Sequence, residues 1–178
     1  TITIDVGDSL TWGAGSGEPH NVSFGTPPFD PVTSDQVFAP AGGPSYDGSG
    51  FTGSGVLVPG KPYTLSFTKA GTYNYQCLFH PASMKGSVVV QPAGTPYPVA
   101  PGAYQPAGDP QLAAWIQTGD AALATRQVAT KPNADGTTTY TLDAGIGDGK
   151  SFGLLRYSAD SLAIHSGDSV VWTQPDPN

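Results

Sequence analysis

The residues that most constrain this chain are its single Cys and its single Met, which lie seven positions apart with a His between them. Cys77, His80 and Met84 fall within the stretch YNYQCLFHPASMKGSVVV, and His20 lies upstream in EPHNVSF. One thiolate, two imidazoles and a thioether form the ligand set of a mononuclear blue-copper site, with Met as the weak axial ligand. The sequence therefore predicts one type 1 copper per chain, bound by these four residues.

Other interpretations of the same residues are weaker. A single Cys is often a small buried apolar residue, and a single Met often fills a core, but neither role explains why they flank a His. Zinc is the nearest rival metal, yet a thioether is a poor zinc ligand and structural zinc sites favour several Cys. A nucleophilic Cys–His pair needs a third, orienting group, and the sequence marks none.

The spacing of the ligands indicates how the chain delivers them. Tyr73, Tyr75 and Cys77 alternate and share one face of a predicted strand. His80 and Met84 then follow on a tight loop, after which KGSVVV resumes as a strand. Such a loop supplies three ligands, so the fourth must come from a neighbouring strand, and we expect His20 to supply it.

These segments resemble the cupredoxins, particularly the plastocyanin, amicyanin and pseudoazurin group. The resemblance covers residues 1–91, and its matching residues are Pro19-His20-Asn21, Pro59-Gly60, Phe67, Gly71-Thr72-Tyr73, Tyr75, Cys77-Leu78-Phe79-His80, Met84 and Gly86. It implies an all-β, Greek-key β-sandwich with a type 1 copper that shuttles one electron. By position, the four predicted ligands match those of the family, and Asn21 matches a residue that ties the His-bearing strand to the Cys loop.

The chain departs from the family pattern within the ligand loop. Three residues separate His80 from Met84, whereas plastocyanin-like loops have four and amicyanin-like loops two. Phe79 stands where plastocyanin-like loops carry Pro. Since Phe79 keeps its backbone N–H, we expect two backbone donors to the Cys77 sulfur, one from Phe79 and one from the Asn21 region.

Composition agrees with a turn-rich β protein and narrows the choice of partners. The 178 residues include 24 Gly and 18 Pro and leave room for one sandwich and about half of another. The formal net charge of −7 disfavours DNA, RNA and anionic membranes. It favours a redox partner with a basic face, such as a c-type cytochrome or an oxidase. No apolar run reaches the roughly 18 to 20 residues of a membrane span.

The N-terminus and the single Cys lead to expectations about processing and location. Thr1 lies within a predicted strand, and neither an initiator Met nor a signal peptide is present. We therefore expect a mature or trimmed product. A thiolate–copper site in a chain with no other Cys suits an exported protein, located in the periplasm, at the cell surface or outside the cell.

The remaining organisation is predicted in four parts. They are a copper domain over 1–91, a Pro-rich extended linker over 92–108, a short helix over 109–127, and a partial cupredoxin-like β segment over 128–178. Within the copper domain, 25–55 is a Gly/Pro/Ser-rich insertion, which we expect to be a surface loop pinned by its aromatic residues. A partner-docking lid is the alternative.

The helix prediction follows from a local start signal. Asp109 suits the N-cap and Pro110 the first helical position. Leu112, Trp115, Ile116 and Leu123 would form an apolar stripe, weakened by Gly119, that packs on a sandwich.

The C-terminal part repeats the N-terminus. SLAIHSGDSVVW, residues 161–172, matches TITIDVGDSLTW, residues 1–12, with identities at Ile4/Ile164, Gly7/Gly167, Asp8/Asp168, Ser9/Ser169 and Trp12/Trp172. His165 replaces Asp5 in this repeat, so we interpret it as a strand residue and not a ligand.

The repeat leads to two alternatives. Residues 150–160 look like a cupredoxin first strand, and no such segment precedes Thr1. These residues would then fill the gap by strand addition, within the chain or in a neighbour, which would give self-association through 150–172 into a filament. Alternatively, the chain is a fragment of a longer tandem cupredoxin.

Two functions from different classes follow. The leading hypothesis is outer-sphere electron transfer by a protein that is not an enzyme. The alternative is a structural subunit that assembles by strand donation, with copper stabilising or accessory. A copper oxidase or reductase needs a further His-rich copper centre, and three His in the chain, two of them used at the type 1 site, cannot supply one.

Overall fold

The computed structural model describes residues 1–15, 18–148 and 152–175, and the chain divides into two compact units. Unit 1 is Thr1–Pro106 and unit 2 is Ala107–Asn178. The strands are Ile2–Asp5 (β1), Ser9–Trp12 (β2), Ser23–Phe24 (β3), Ser45–Tyr46 (β4), Thr52–Gly53 (β5), Tyr63–Phe67 (β6), Gly71–Gln76 (β7), Lys85–Gln91 (β8), Ala129–Pro132 (β9), Thr138–Gly147 (β10), Gly153–Tyr157 (β11) and Ser169–Thr173 (β12). One α-helix, α1, spans Tyr104–Ala124, and short 3-10 helices span Asp35–Phe38 and Pro101–Ala103.

Unit 1 contains two sheets that enclose one core. The first has the strand order β1-β8-β7-β3-β5, and the second has the order β2-β6-β4. β1 pairs with β8 and β4 with β6 in parallel, and the remaining neighbours are antiparallel. The core residues come from both sheets and the loops beside them: Ile4, Val22, Phe24, Tyr46, Leu57, Leu65, Phe67, Val88 and Val90. The prediction of an all-β sandwich is confirmed.

Period-two burial explains why the sequence forms these strands. In β6, Leu65 and Phe67 are fully buried, whereas Thr64 is exposed and Ser66 is half-buried. Successive side chains of a strand point to opposite faces, so this alternation places one face of each strand in the core.

The insertion at 25–55 is ordered and pinned by aromatic contacts, as predicted. Phe29 packs edge-on against Phe51 at 5.5 Å between ring centroids, and Tyr46 contacts Phe67 at 6.4 Å. Its 3-10 helix begins at a Ser34 N-cap, whose hydroxyl accepts the Gln36 N–H at 3.2 Å. The backbone is fixed to the sandwich where Val56 N–H donates to the Phe38 carbonyl at 3.2 Å.

The first part of the predicted linker is bound to unit 1 instead of extending from it. The Asp5 carboxylate accepts the Gly94 N–H at 2.7 Å and the Gln91 side-chain amide at 2.9 Å. Tyr97 donates its hydroxyl to Asp8 at 2.7 Å. These carboxylates hold residues 91–97 against the turn after β1, so the prediction of an extended strap from residue 92 is wrong for this part.

The helix begins earlier than predicted. It starts at Tyr104, directly after the 3-10 turn that Pro101 opens, and Pro110 lies inside it. A Pro at the first helical position has the correct φ angle and needs no N–H partner, and Pro101, not Pro110, has this role. The prediction of an N-cap at Asp109 is therefore wrong, and the linker is correspondingly shorter.

The predicted packing face of the helix is also corrected. Leu112, Trp115 and Ile116 are exposed, and Leu123 is half-buried. The buried helical residue is Gly119, where a Cβ would lie 3.7 Å from side-chain atoms of Phe152 and Leu154. Because Gly has no side chain, these residues approach the helix backbone at this point. In the described part of the chain, no helix is long and apolar enough to cross a membrane.

Unit 2 is built around β10. β9 and β11 pair with it antiparallel, and β12 pairs with it in parallel, from Thr139 opposite Ser169 to Asp143 opposite Thr173. The prediction that residues 150–160 fill a gap in unit 1 is not supported for the described residues 152–160, because β11 pairs with β10. The two strands are close in sequence, so their pairing closes a short loop at low entropic cost. The structure gives no support for a strand-exchanged oligomer or filament.

The predicted repeat is confirmed at its turn. Gly7 and Gly167 both have φ 97°, which an L side chain rarely adopts. In each copy the Asp carboxylate accepts a hydrogen bond from the backbone N–H three residues earlier. Asp8 accepts from the Asp5 N–H and Asp168 accepts from the His165 N–H, both at 2.8 Å. His165 lies before this turn and outside β12, so its interpretation as a strand residue is wrong.

Candidate metal centre

His20 lies beside the sandwich on an isolated bridge, not within a strand. Its carbonyl accepts the Leu57 N–H at 2.8 Å, and the strand that follows, β3, begins only at Ser23. The expectation that His20 lies within a strand is therefore wrong, because His20 forms only an isolated bridge. Burial of Val22 and Phe24 in the core positions the segment, so the imidazole is presented from a backbone that is anchored at His20 itself and directly after it.

The Cys loop leaves the end of β7 and returns into β8. Cys77 donates its N–H to the Met84 carbonyl at 2.9 Å, which closes the loop at its base. His80 caps the turn inside it, because its carbonyl accepts the Met84 N–H at 3.0 Å and the Ser83 N–H at 3.3 Å. The strand–loop–strand hinge predicted from the sequence is therefore present.

The structure brings three of the four predicted ligands together. One possible ligand atom each from His20, Cys77 and His80 lie within 4.8 Å of one another, and the residues that the structure describes contain no other such group of three His, Cys, Asp or Glu. The Cys77 Sγ lies 3.6 Å from the His80 Nδ1, and the two imidazole centroids are 5.1 Å apart. Cys77 is 2 % exposed, and both His residues are half-buried.

This donor set fits a copper ion. Metal bonds to imidazole nitrogen and thiolate sulfur are about 2.0–2.3 Å long, so three donors in a plane around one ion lie roughly 3.5–4 Å apart. The observed separations are compatible with that arrangement after small side-chain adjustments. A thiolate with two imidazoles is the equatorial set of a blue-copper site.

Asn21 connects the His20 segment to the Cys loop. Its backbone N–H lies 3.5 Å from the Cys77 Sγ, and its side-chain oxygen accepts the Leu78 N–H at 2.7 Å. Its amide also reaches the Val37 carbonyl of the insertion at 3.5 Å. Asn21 therefore ties the His20 segment to the Cys loop, as expected.

The second donor expected from Phe79 is absent from the hydrogen bonds of the described residues. In this loop the Leu78 N–H is bonded instead, and Phe79 packs on Phe38 at 5.5 Å.

Burial favours the neutral, metal-binding form of His20. Desolvation lowers the pKa of His20 below its ordinary value, the nearby His80 lowers it further, and Glu18 acts in the opposite direction. Metal ligation needs an unprotonated imidazole nitrogen. His20 therefore stays available as a ligand at a lower pH than a solvent-exposed His would.

Backbone hydrogen bonds to Cys77 and His80 fix the position of Met84 in the loop. Its N–H and carbonyl are the groups bonded to His80 and Cys77, while the residue as a whole is 41 % exposed. Sequence reasoning identified Met84 from its rarity. It did not identify Phe38 as a neighbour of the loop, because the contact to Phe79 joins residues that are far apart in sequence.

The family of the chain follows from comparison with known proteins. Residues 1–91 match the family described as copper-binding proteins, plastocyanin/azurin family. The chain is a member of the plastocyanin/azurin family. Copper is the metal of this family, and the cluster of His20, Cys77 and His80 is compatible with a type 1 site.

Relatives within the plastocyanin/azurin family match the same half of the chain. The chain is 38% identical over 93 residues to chloroplastic plastocyanin of Tetradesmus obliquus, covering 51% of this chain and 55% of that protein. It is 33% identical to plastocyanin of Scenedesmus fuscus, covering 51% and 82%, and 34% identical to amicyanin of Paracoccus denitrificans, covering 51% and 54%. The chain thus spans about half the length of two of these three relatives. A solved structure of an oxidized amicyanin mutant is 31% identical, covering 51% of this chain and 68% of that one, with a TM-score of 0.36.

Proposed function

We propose that unit 1 is an electron carrier that holds one copper and passes single electrons between partner proteins. The observation that carries this proposal is the cluster of His20, Cys77 and His80, whose ligand atoms lie within 4.8 Å of one another. The plastocyanin- and amicyanin-like relatives support the same function at the level of the family. When bound, copper supplies a one-electron couple between Cu(I) and Cu(II).

The four ligands have different roles in this proposal. His20, Cys77 and His80 are the equatorial ligands, and Met84 is the axial one. Cys77 is buried and continues directly from β7, so its thiolate gives a covalent path from the metal into the sandwich. His80 is half-buried on the loop and forms the exit towards a partner.

The surrounding protein limits rearrangement when the charge of the metal changes. The Cys77–Met84 backbone bond, the turn at His80 and the Asn21 bonds to the loop hold the ligands through independent contacts. Ligands held by rigid supporting contacts favour fast electron transfer, because little structure must move.

Charge and family resemblance support our proposal for the partner and the compartment. With 14 acidic and 7 basic residues, the chain is attracted to a partner with a basic face, such as a c-type cytochrome or an oxidase domain. We place the protein in an exported location, in the periplasm, at the cell surface or outside the cell. It is a carrier and not an enzyme in this proposal.

A redox titration of the copper-loaded chain tests the proposal. We expect one reversible one-electron couple per chain and rapid oxidation of the reduced protein by a basic c-type cytochrome at low ionic strength, slowing as salt is added. A chain that binds copper but shows no reversible couple would overturn electron transfer as the function. Large particles that persist on dilution would instead support the structural alternative.

A further inference from the structure

The short 3-10 helix of the insertion, Asp35–Phe38, contacts both segments that carry the predicted copper ligands. The Val37 carbonyl accepts the Asn21 side-chain N–H at 3.5 Å, and the Phe38 ring packs on Phe79 with centroids 5.5 Å apart. Asn21 follows one predicted ligand directly, and Phe79 lies between two others in the Cys loop. One element of the insertion therefore reaches the two parts of the chain whose relative position defines the site.

The contact to Val37 determines how the Asn21 amide is oriented. An amide has an acceptor end and a donor end. The Asn21 oxygen accepts the Leu78 N–H at 2.7 Å, and its nitrogen faces the Val37 carbonyl. Both Asn21 and Val37 are buried. A flipped amide would place two oxygens together at Val37 and two N–H groups together at Leu78, which is costly away from water. The Val37 carbonyl therefore keeps the acceptor end towards Leu78.

The 3-10 helix is itself held at both ends. At its start, the Ser34 hydroxyl caps the first turn. At its end, the Phe38 carbonyl accepts the Val56 N–H at 3.2 Å, and the next residue, Leu57, donates its N–H to the His20 carbonyl at 2.8 Å. The end of the helix is thus joined through two adjacent residues to the segment that presents a ligand.

Gly55 allows the backbone to approach this closely. Its φ is 61°, which an L side chain rarely adopts. A Cβ at this position would lie 2.7 Å from the Pro40 nitrogen, 2.8 Å from the Ala39 carbonyl carbon and 2.8 Å from the Phe38 carbonyl oxygen. These are backbone atoms, which cannot rotate away as the end of a side chain can. The segment that ends the helix therefore needs a residue without a side chain at position 55.

We propose that this 3-10 helix is a positioning element for the copper ligands, and that Val37 and Gly55 are its positioning residues. Neither residue is a ligand. Val37 acts through Asn21 on the Leu78 N–H and on the Cys77 thiolate, and Gly55 acts through the backbone at the end of the helix. Contacts around the metal ligands orient them and tune the metal. The role of these two residues rests on the proposed function, because it concerns the same copper site.

Gly55→Ala tests the proposal against a closely matched control, Gly50→Ala. Gly50 belongs to the same insertion and has φ 68°, but a Cβ there would meet nothing within 4 Å. Both substitutions carry the cost of an L side chain at positive φ, and only Gly55→Ala displaces the backbone at the end of the helix. Native-state hydrogen exchange of the Leu78 amide, measured in the copper-free chain, detects that displacement.

The Phe67 amide serves as the internal reference for overall stability. It donates to the Asp8 carbonyl at 3.0 Å, in the other sheet of the sandwich. A general loss of stability would speed exchange at Phe67 at least as much as at Leu78. We expect the Leu78-to-Phe67 exchange ratio to rise about tenfold in Gly55→Ala and to stay at the native value in Gly50→Ala. A folded Gly55→Ala variant with the native ratio overturns the proposal.

Ser34→Ala keeps the proposal testable if Gly55→Ala does not fold. It removes the hydroxyl that caps the 3-10 helix and leaves the core of the sandwich unchanged. The same exchange ratio should rise about threefold. Ser49→Ala is the control, because it removes a hydroxyl that donates to Asp47 elsewhere in the insertion, and it should leave the ratio at the native value. An equal ratio in the two Ser variants would contradict the role of the helix.

Electron paramagnetic resonance of the copper-loaded variants shows whether the displacement reaches the metal. The copper hyperfine splitting should change in Gly55→Ala and not in Gly50→Ala, since loss of stability alone does not alter the ligand geometry of the folded fraction. A raised exchange ratio with a native spectrum would refute positioning of the ligands. A native chain that binds copper without a blue band would refute the proposed function instead, and the exchange ratios, measured without copper, would be unaffected.

Discussion

The backbone N–H of Asn21 lies 3.5 Å from the Cys77 Sγ, and the Asn21 side-chain oxygen accepts the Leu78 N–H at 2.7 Å. Asn21 is buried, so these bonds form in a region of low dielectric where an unpaired polar group is costly. The position of the thiolate thus depends on a residue next to one ligand, His20, in a segment distant in sequence from the Cys loop.

Asn21→Ala should destabilise the copper-free protein. The substitution leaves the buried Leu78 N–H without its acceptor, which costs about 1–3 kcal/mol. Urea unfolding measures the loss. Asn74→Ala, at an exposed position of β7, is the control and should change stability by less than about 0.5 kcal/mol. Equal effects of the two substitutions would contradict the role of Asn21.

Met84→Leu should raise the reduction potential and leave the blue colour. Leu has a similar volume but no thioether, so the axial donor that favours Cu(II) is lost while the equatorial ligands remain. Voltammetry and the visible spectrum measure the two effects. An unchanged potential would mean that Met84 is not the axial ligand.

Phe38→Ala should loosen the Cys loop. Phe38 is 55 % exposed but packs on Phe79, which lies between two ligands, and an aromatic pair contributes about 0.5–1.5 kcal/mol. We expect faster hydrogen exchange of the Leu78 amide and a shifted reduction potential. Val32→Ala removes a more exposed apolar side chain, 90 % exposed, from the same insertion and should alter neither. If both variants behave like the native chain, the insertion does not support the loop.

Tyr97→Phe should raise the pKa of Asp8. The Asp5 backbone N–H is the main cause that lowers the pKa of Asp8, and the Tyr97 hydroxyl is the second. Asp8 in turn raises the pKa of Tyr97 to about 12. The lowered pKa of Asp8 stabilises the fold above the unfolded value of about 4, and this stability is lost as the pH falls through the folded pKa.

The Tyr97→Phe variant should therefore begin acid unfolding at a higher pH. Carboxyl NMR titration measures the pKa of Asp8 directly. Tyr104→Phe is the control, because the Tyr104 hydroxyl bonds the Thr3 N–H and not Asp8. An unmoved pKa of Asp8 in the Tyr97 variant would show that the linker bond is not made in solution.

Much of unit 1 was predictable because its signals are local. The strand Tyr63–Phe67 follows from alternation over five residues, and the ligand loop follows from the rarity of Cys, His and Met. The pairing of distant elements was not predictable in this way. Residues 150–160 look like an unpaired first strand, yet β11 finds β10 within its own unit, a choice that depends on loop length and on which edges are free.

Competing local signals account for the other errors. Asp109-Pro110 and Pro101 are both acceptable helix starts, and the structure uses the earlier one. The linker contains turn residues, but its attachment depends on Asp5 and Asp8, which are about 90 positions away. Such long-range hydrogen bonds leave no periodic pattern in the sequence.

Stoichiometric addition of Cu(II) to the purified chain, followed by visible absorption, tests the central claim most directly. We predict an intense blue thiolate-to-copper band that saturates at one equivalent per chain in the native protein. In the Cys77→Ser variant, the band should be absent although circular dichroism shows a folded β domain. A native chain that stays colourless, or a Cys77→Ser variant that turns blue, would contradict the assignment of His20, Cys77 and His80 as a type 1 copper site.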